Sequence, residues 1–214
     1  RGFETVTLVR RGLIDHSDSL GATARFGGGD VQWLTAGNGI VHAEMFPLLD
    51  RDAPNPVELF QIWCNLPAAD KRVDPYFTMF WADDIPRLET ADAAGRRTAV
   101  TVVAGALADL TPPAPPPNSW ASRPESDLAI WVLRLEPEAT WTLPRAHRPE
   151  TVRVLYFFEG ATMRVAGTDV DVDTGLVLQA DADVELTAGA HEVECLVLQA
   201  HPIGEPVAQY GPFV

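Results

Sequence analysis

An all-β protein in two similar halves is what this sequence predicts. Three observations carry the prediction. Short runs rich in β-branched and aromatic residues, bounded by Gly, Pro or Asp, recur along all 214 residues. No window of 12 or more residues shows a good helical stripe. Landmarks of the first half return in the second at a nearly constant distance.

The runs are, in order, FETVTLV, VQWLTA, ELFQIWCNL, TAVTVVAG, LAIWVLRLE, TVRVLYFFEG, MRVAG, GLVLQA and EVECLVLQA. Many short strands at short spacing favour sandwiches or closed barrels. The proline-dense stretch over residues 110–120, LTPPAPPPNSW, cannot be a central strand and reads as an extended connector. It divides the chain into a front barrel over residues 1–110, a connector over 111–125 and a back barrel over 126–214. In the front, ETVTLVRRG leads to a Gly29–Asp30 turn and another strand; in the back, TVRVLYFFEG leads to Asp173, Thr174 and Gly175 and then LVLQA. Gly12 and Gly160 are 148 residues apart, and Gly29 and Gly175 are 146 apart, as a duplicated β-domain would place them.

Composition narrows the function classes. The net charge of −14 repels phosphate backbones and argues against direct nucleic-acid binding. Arg10 and Arg11 are the nearest thing to a basic patch and read as a solvated strand end. No apolar run approaches the roughly 20 residues that span a bilayer, and no signal peptide is visible in this sequence, which opens on the charged RGFETVTLVRR. Cys64 and Cys195 each lie inside an apolar run. Two buried core thiols suit a reducing cytoplasm better than a disulfide.

The stretch TAGNGIVHAEMF over residues 35–46 holds the candidate chemistry. On a strand, residues i and i+2 share a face, so His42 and Glu44 point one way. Their Cβ atoms stand roughly 6 to 7 Å apart, and both side chains can converge on one cation at about 2.1 Å. Gly37 and Gly39 permit a tight backbone path ahead of the pair. Spacing alone leaves two readings open: two ligands of a metal ion, or an ordinary histidine beside a solvated glutamate. His16 reads as a hydrogen-bonding residue near a polar turn. His147, His191 and His201 have no second ligand at a matching spacing. Phe3, Met45 and Phe46 are either cavity lining or plain core packing. No nucleophile elbow, phosphate-binding loop, dinucleotide fingerprint or paired-cysteine zinc signature is present.

Five stretches, RGFETVTLV, DSLG, GDVQWLTAGNGIVHAEM, LFQIWCNLPAADK and EPVAQYGPFV, together resemble the pirin family, a branch of the cupins, across nearly the whole chain. The resemblance implies a bicupin: two tandem cupin β-barrels packed face to face. It implies one mononuclear metal site, usually iron, in the N-terminal barrel, held by three histidines and one glutamate. The family's His-Ser-Glu pair falls on His42 and Glu44, with Ala43 in place of the serine. The other two histidines belong to a His-Pro-His segment directly ahead of Arg1, outside this sequence, and the resemblance implies further residues at both ends. Without them a two-ligand remnant should bind metal poorly. Ungapped, the repeat maps His42 and Glu44 onto Ala188 and Ala190, and the missing histidines onto Ala146 and Arg148; the C-terminal barrel is therefore expected to hold no metal.

Imidazoles and a carboxylate suit Fe(II), Mn(II), Ni(II), Cu(II) or Zn(II) by ligand softness. The resemblance implies a dioxygenase acting on flavonols such as quercetin, a small aromatic substrate, with Glu44 as ligand and acceptor of a substrate proton. It also implies the alternative of a non-enzymatic regulator that binds a protein partner through a surface switched by the metal's oxidation state. An acidic surface is compatible with such a partner.

Overall fold

The front half forms seven strands. In the computed structural model, which describes residues 1–208 and 210, they are β1 (Phe3–Arg11), β2 (Leu13–Asp18), β3 (Thr23–Gly27), β4 (Val31–Thr35), β5 (His42–Met45), β6 (Glu58–Asn65) and β7 (Tyr76–Phe80). Of the closing stretch EPVAQYGPFV, Gln209 and residues 211–214 lie outside the described residues. The strands make two antiparallel sheets, β6-β1-β4-β7 and β3-β2-β5. Alternation along β1 gives each side a separate task. Val9 turns inward onto Ile14 of β2 and Phe26 of β3, closing one end of the barrel with an apolar plug. Glu4, Val6 and Leu8 occupy the opposite face. Arg10 and Arg11 both reach Glu58, which offsets part of the charge of the basic pair.

Glu4 is fully buried. Thr35 Oγ1 donates to its Oε1 at 2.6 Å, and Ser119 Oγ donates to Oε2 at 2.5 Å. Burial pushes the carboxyl above its ordinary value of 4.5, against the pull of both hydroxyls. Cys64, directly opposite Glu4 on β6, is raised to about 12, by burial first and by the Glu4 charge second. Both cysteines are free thiols.

The back half adds β8 (Arg87–Ala91), β9 (Arg97–Ala104), β10 (Ala129–Leu135), β11 (Thr140–Leu143), β12 (Val152–Glu159), β13 (Thr162–Val165), β14 (Thr168–Asp171), β15 (Thr174–Leu178), β16 (Val184–Ala188) and β17 (Val193–Ala200). They form a six-stranded sheet, β15-β12-β17-β10-β9-β8, and a four-stranded one, β11-β16-β13-β14. Leu133, Leu135, Leu143, Leu155, Phe157, Met163 and Leu186 fill the space between with no exposed surface beyond 2%.

The two compact units do not divide at the proline-rich connector. The first comprises Arg1–Asp84, Ala114–Arg123 and Ile203–Val214; the second comprises Ile85–Pro113 and Pro124–Pro202. β8 and β9 precede the connector yet belong to the second sheet, because β9 pairs with β10 and buries Val100 and Val102 in the second core. The connector returns Ser119 to Glu4 in the first unit. This differs from the expected front barrel over residues 1–110.

The repeat is visible in the ladders. β1 lies between β4 and β6 as β12 lies between β15 and β17. The register slips between Val9 and Arg11 in one ladder and between Phe157 and Glu159 in the other, at the same 148-residue offset as Gly12 and Gly160.

Candidate metal centre

Above the apolar plug, the interior of the first barrel turns polar. Two residues before Val9, Thr7 shares its face and donates to Gln61 Oε1 at 2.7 Å. Gln32, opposite Thr7 on β4, reaches His16 at 2.9 Å. Nearer the open end, Phe3 and Trp63 lie on this same face with ring centroids 4.7 Å apart, and Trp63 is 55% exposed. Phe77 of β7 stacks on His16 at 4.8 Å. The gradient runs from apolar floor to hydrogen-bonded belt to aromatic mouth.

His42 and Glu44 sit at that mouth. On β5 they share a face, as expected, and that face is the inner one. Across the β2–β5 ladder, Glu44 stands opposite His16, and His42 opposite Asp18. Two titratable pairs thus form a square on one face of two strands. The His42 and His16 rings lie 5.7 Å apart, nearly parallel. Glu44 Oε1 is 3.8 Å from His16 Nδ1. The loop before β5 needs its glycines. Gly37 has φ +46°, and a Cβ there would come within 2.2 Å of the Val73 carbonyl oxygen; Gly39 has φ +135°.

His16 is held at both nitrogens. Nε2 lies 2.9 Å from Asp18 Oδ2, and Nδ1 lies 2.9 Å from Gln32 Nε2. A carboxylate only accepts, so Nε2 carries the proton, and Nδ1 accepts from the Gln32 amide. Asp18 also takes the N–H groups of Leu20 and Ala22 on Oδ1. Burial alone would raise the Asp18 carboxyl, but the bonds from His16, Ala22 and Leu20 outweigh it and hold it below its ordinary value. His16 is a fixed wall beside the pair. The hydrogen-bonding role expected of it is the one it has.

The donors fit two ligands of a metal centre. Imidazole and carboxylate are the right chemistry, they share a face, and the neighbouring His16 and Asp18 are satisfied by each other. Among the described residues, no group of three or more His, Cys, Asp or Glu side chains is arranged to hold a cation. His42 and Glu44 would contribute two donors to such a site.

Other expected positions separate clearly. Phe3 joins the aromatic mouth, whereas Met45 points outward from β5 at 57% exposure and Phe46 is 51% exposed, so neither is core packing. His147 and His191 are exposed, and none of His147, His191 and His201 joins a ligand group among the described residues. In the second barrel, β13 and β16 turn Met163, Val165, Val184, Leu186 and Ala188 inward into the apolar core. Sequence reasoning missed Gln32, Asp18 and Phe77. The spacing His16-x-Asp18 repeats that of His42-x-Glu44 and was the signal available.

The sequence matches the pirin family over residues 1–64 and the pirin C-terminal cupin domain over residues 130–214. It is 35% identical to a pirin-like protein of Caulobacter vibrioides, covering all of this chain and 71% of that one. The chain belongs to the pirin family. A Pseudomonas aeruginosa pirin relative named "Putative quercetin 2,3-dioxygenase" is 36% identical over 217 residues, spanning 100% of this chain and 70% of its own. The crystal structure of an Acinetobacter baumannii quercetin 2,3-dioxygenase superposes with a TM-score of 0.83 at 29% identity, over 100% of this chain and 69% of that one. The two-barrel cupin fold of the pirins is the fold of this chain. No helix among the described residues is long and apolar enough to cross a membrane.

Proposed function

We propose that this pirin is a metal-dependent dioxygenase of flavonols such as quercetin, with His42 and Glu44 as two of the ligands of a single divalent cation, Fe(II) by preference. The observation that carries the reading is the placement of His42 and Glu44 on the inner face of β5, at the aromatic mouth of the first barrel. The names of the Pseudomonas and Acinetobacter relatives support the substrate class. Residues directly ahead of Arg1 are the source of further donors in this reading. Gly2 N–H bonds the Gly37 carbonyl at 2.8 Å, so the chain enters beside the loop that leads into β5.

A cation there supplies dioxygen activation and a hold on the substrate's oxygen atoms. The chain's own residues do the rest. The rings of Phe3, Trp63 and Phe77 offer flat faces to a flat aromatic substrate. Glu44 serves as ligand and as acceptor of the substrate hydroxyl proton. Gln32 and Asp18 hold His16 as a rigid wall behind it. The floor of Val9, Ile14 and Phe26 excludes water from below. The two free thiols support a reducing, cytoplasmic setting in the same reading.

The test is anaerobic loading of the full-length protein with Fe(II), then oxygen uptake with a panel of flavonols. Flavonol-dependent uptake that His42→Ala abolishes supports the proposal. A fully loaded protein that consumes no oxygen with any flavonol removes it.

A further inference from the structure

The second barrel contains a buried cation without a counter-charge in contact. Arg153, on β12, has no exposed surface. Its Nη2 donates to the Pro144 carbonyl at 2.8 Å, while Nε and Nη1 have no hydrogen-bond partner. Asp127 and Asp183 are near enough to favour its charge, yet both are committed elsewhere. Asp183 accepts from the Arg145 guanidinium and backbone N–H. Asp127 Oδ2 accepts from the N–H groups of His147 and Arg148 and from the Thr151 hydroxyl. Asp127 holds φ +45°, a conformation that non-glycine residues rarely adopt away from functional or over-determined sites.

Gln199 completes the arrangement. It stands directly opposite Arg153 on β17. Its Nε2 donates at 3.0 Å to both the carbonyl and Oδ1 of Asp127. Both partners are acceptors, so the orientation of the amide is settled, and Oε1 is left buried without a donor. One wall therefore presents unpaired cationic N–H donors beside an unpaired acceptor. Buried polar groups are rarely left so, and an unpaired buried charge is costly.

We propose that this end of the second barrel binds a small α-hydroxycarboxylate. The carboxylate takes the Nε–H and Nη1–H of Arg153, and the ligand's hydroxyl donates to Gln199 Oε1. Arg153 Nε and Nη1 and Gln199 Oε1 are closed off from solvent, so binding requires the covering segment over residues 144–151, most of which are exposed, to open. Nothing in the proposal depends on the metal centre of the first barrel.

The test uses the full-length protein and measures melting temperature against increasing glycolate, acetate and chloride at matched ionic strength. Glycolate should give a saturable rise, acetate one about tenfold weaker for want of the hydroxyl, and chloride none. Arg153→Met should abolish both responses, and Gln199→Met should bring glycolate down to acetate. If Arg153→Met fails to fold, the glycolate-to-acetate ratio in Gln199→Met still decides. Equal shifts with all three anions, no shift with glycolate, or an unchanged glycolate response in either variant overturns the proposal. So does a glycolate-grown crystal structure with only water, or a carboxylate of the protein itself, on Arg153.

Discussion

His16 and Glu44 face each other across the β2–β5 ladder, with Nδ1 of the imidazole 3.8 Å from Oε1 of the carboxylate. Two acceptors at that separation do not attract. What keeps the Nδ1 lone pair occupied is the Gln32 amide at 2.9 Å. Gln32→Leu removes that donor and leaves a buried imidazole nitrogen unsatisfied. We expect a loss of roughly 1 to 3 kcal/mol of unfolding free energy, at the low end because Gln32 Oε1 itself has no partner. Urea unfolding measures it, and an unchanged midpoint would show that the amide contributes nothing net.

Substitution at the pair should separate binding from folding. His42 is exposed and Glu44 partly so, and neither fills the core. His42→Ala and Glu44→Gln should therefore change stability by no more than about 0.5 kcal/mol in metal-free protein. Each should still lower the metal-to-chain ratio of the full-length protein severalfold in elemental analysis. Retention of full metal content by both variants contradicts the ligand assignment.

Glu4 gives a pH dependence of known sign. Its folded carboxyl titrates above the ordinary value of 4.5, so over the interval between the two values the folded state binds more protons than the unfolded. Stability then falls as pH rises from about 4.5 through the folded value. Glu4→Gln keeps a group of the same shape for Thr35 and Ser119 and cannot ionise. The variant should lack that decline and gain on the wild type as pH rises to neutrality. Unfolding free energies from pH 4 to 8 provide the comparison; parallel profiles would mean that Glu4 does not titrate differently in the two states.

The sequence makes the inner strands legible because β-branched and aromatic runs such as FETVTLV and EVECLVLQA are the buried centres of both sheets. It hides strands such as β3 (TARFG) and β14 (TDVD), edge strands whose polar alternation resembles a loop. The connector is proline-rich and extended, as its composition dictates, but composition cannot say that β9 crosses to β10 before it. That pairing is decided by the apolar face of Val100 and Val102, and only the second core reveals it. His42 and Glu44 are legible because both lie on one strand. Gln32 and Phe77 are not, because they reach the site from other strands, and no spacing along the chain encodes a contact across a barrel.

Asp18 sets the proton on His16, and this too is testable. Nε2–H of His16 points at Asp18 Oδ2 at 2.9 Å. Asp18→Asn can keep its Oδ1 for the N–H groups of Leu20 and Ala22, which orients its new NH2 toward His16. Two donors then meet, and the imidazole answers by moving its proton to Nδ1. There it meets the Gln32 NH2, so the Gln32 amide must turn over and present Oε1, the atom that has no partner in the wild type. The switch keeps both nitrogens of the imidazole paired, so Asp18→Asn should cost less stability than Asp18→Ala, which strands the Nε2–H and two backbone donors. Nitrogen chemical shifts of the His16 ring report the outcome directly: an Nε2–H tautomer in the wild type and an Nδ1–H tautomer in Asp18→Asn. An Nε2–H tautomer in both would mean that something other than this carboxylate decides which nitrogen holds the proton.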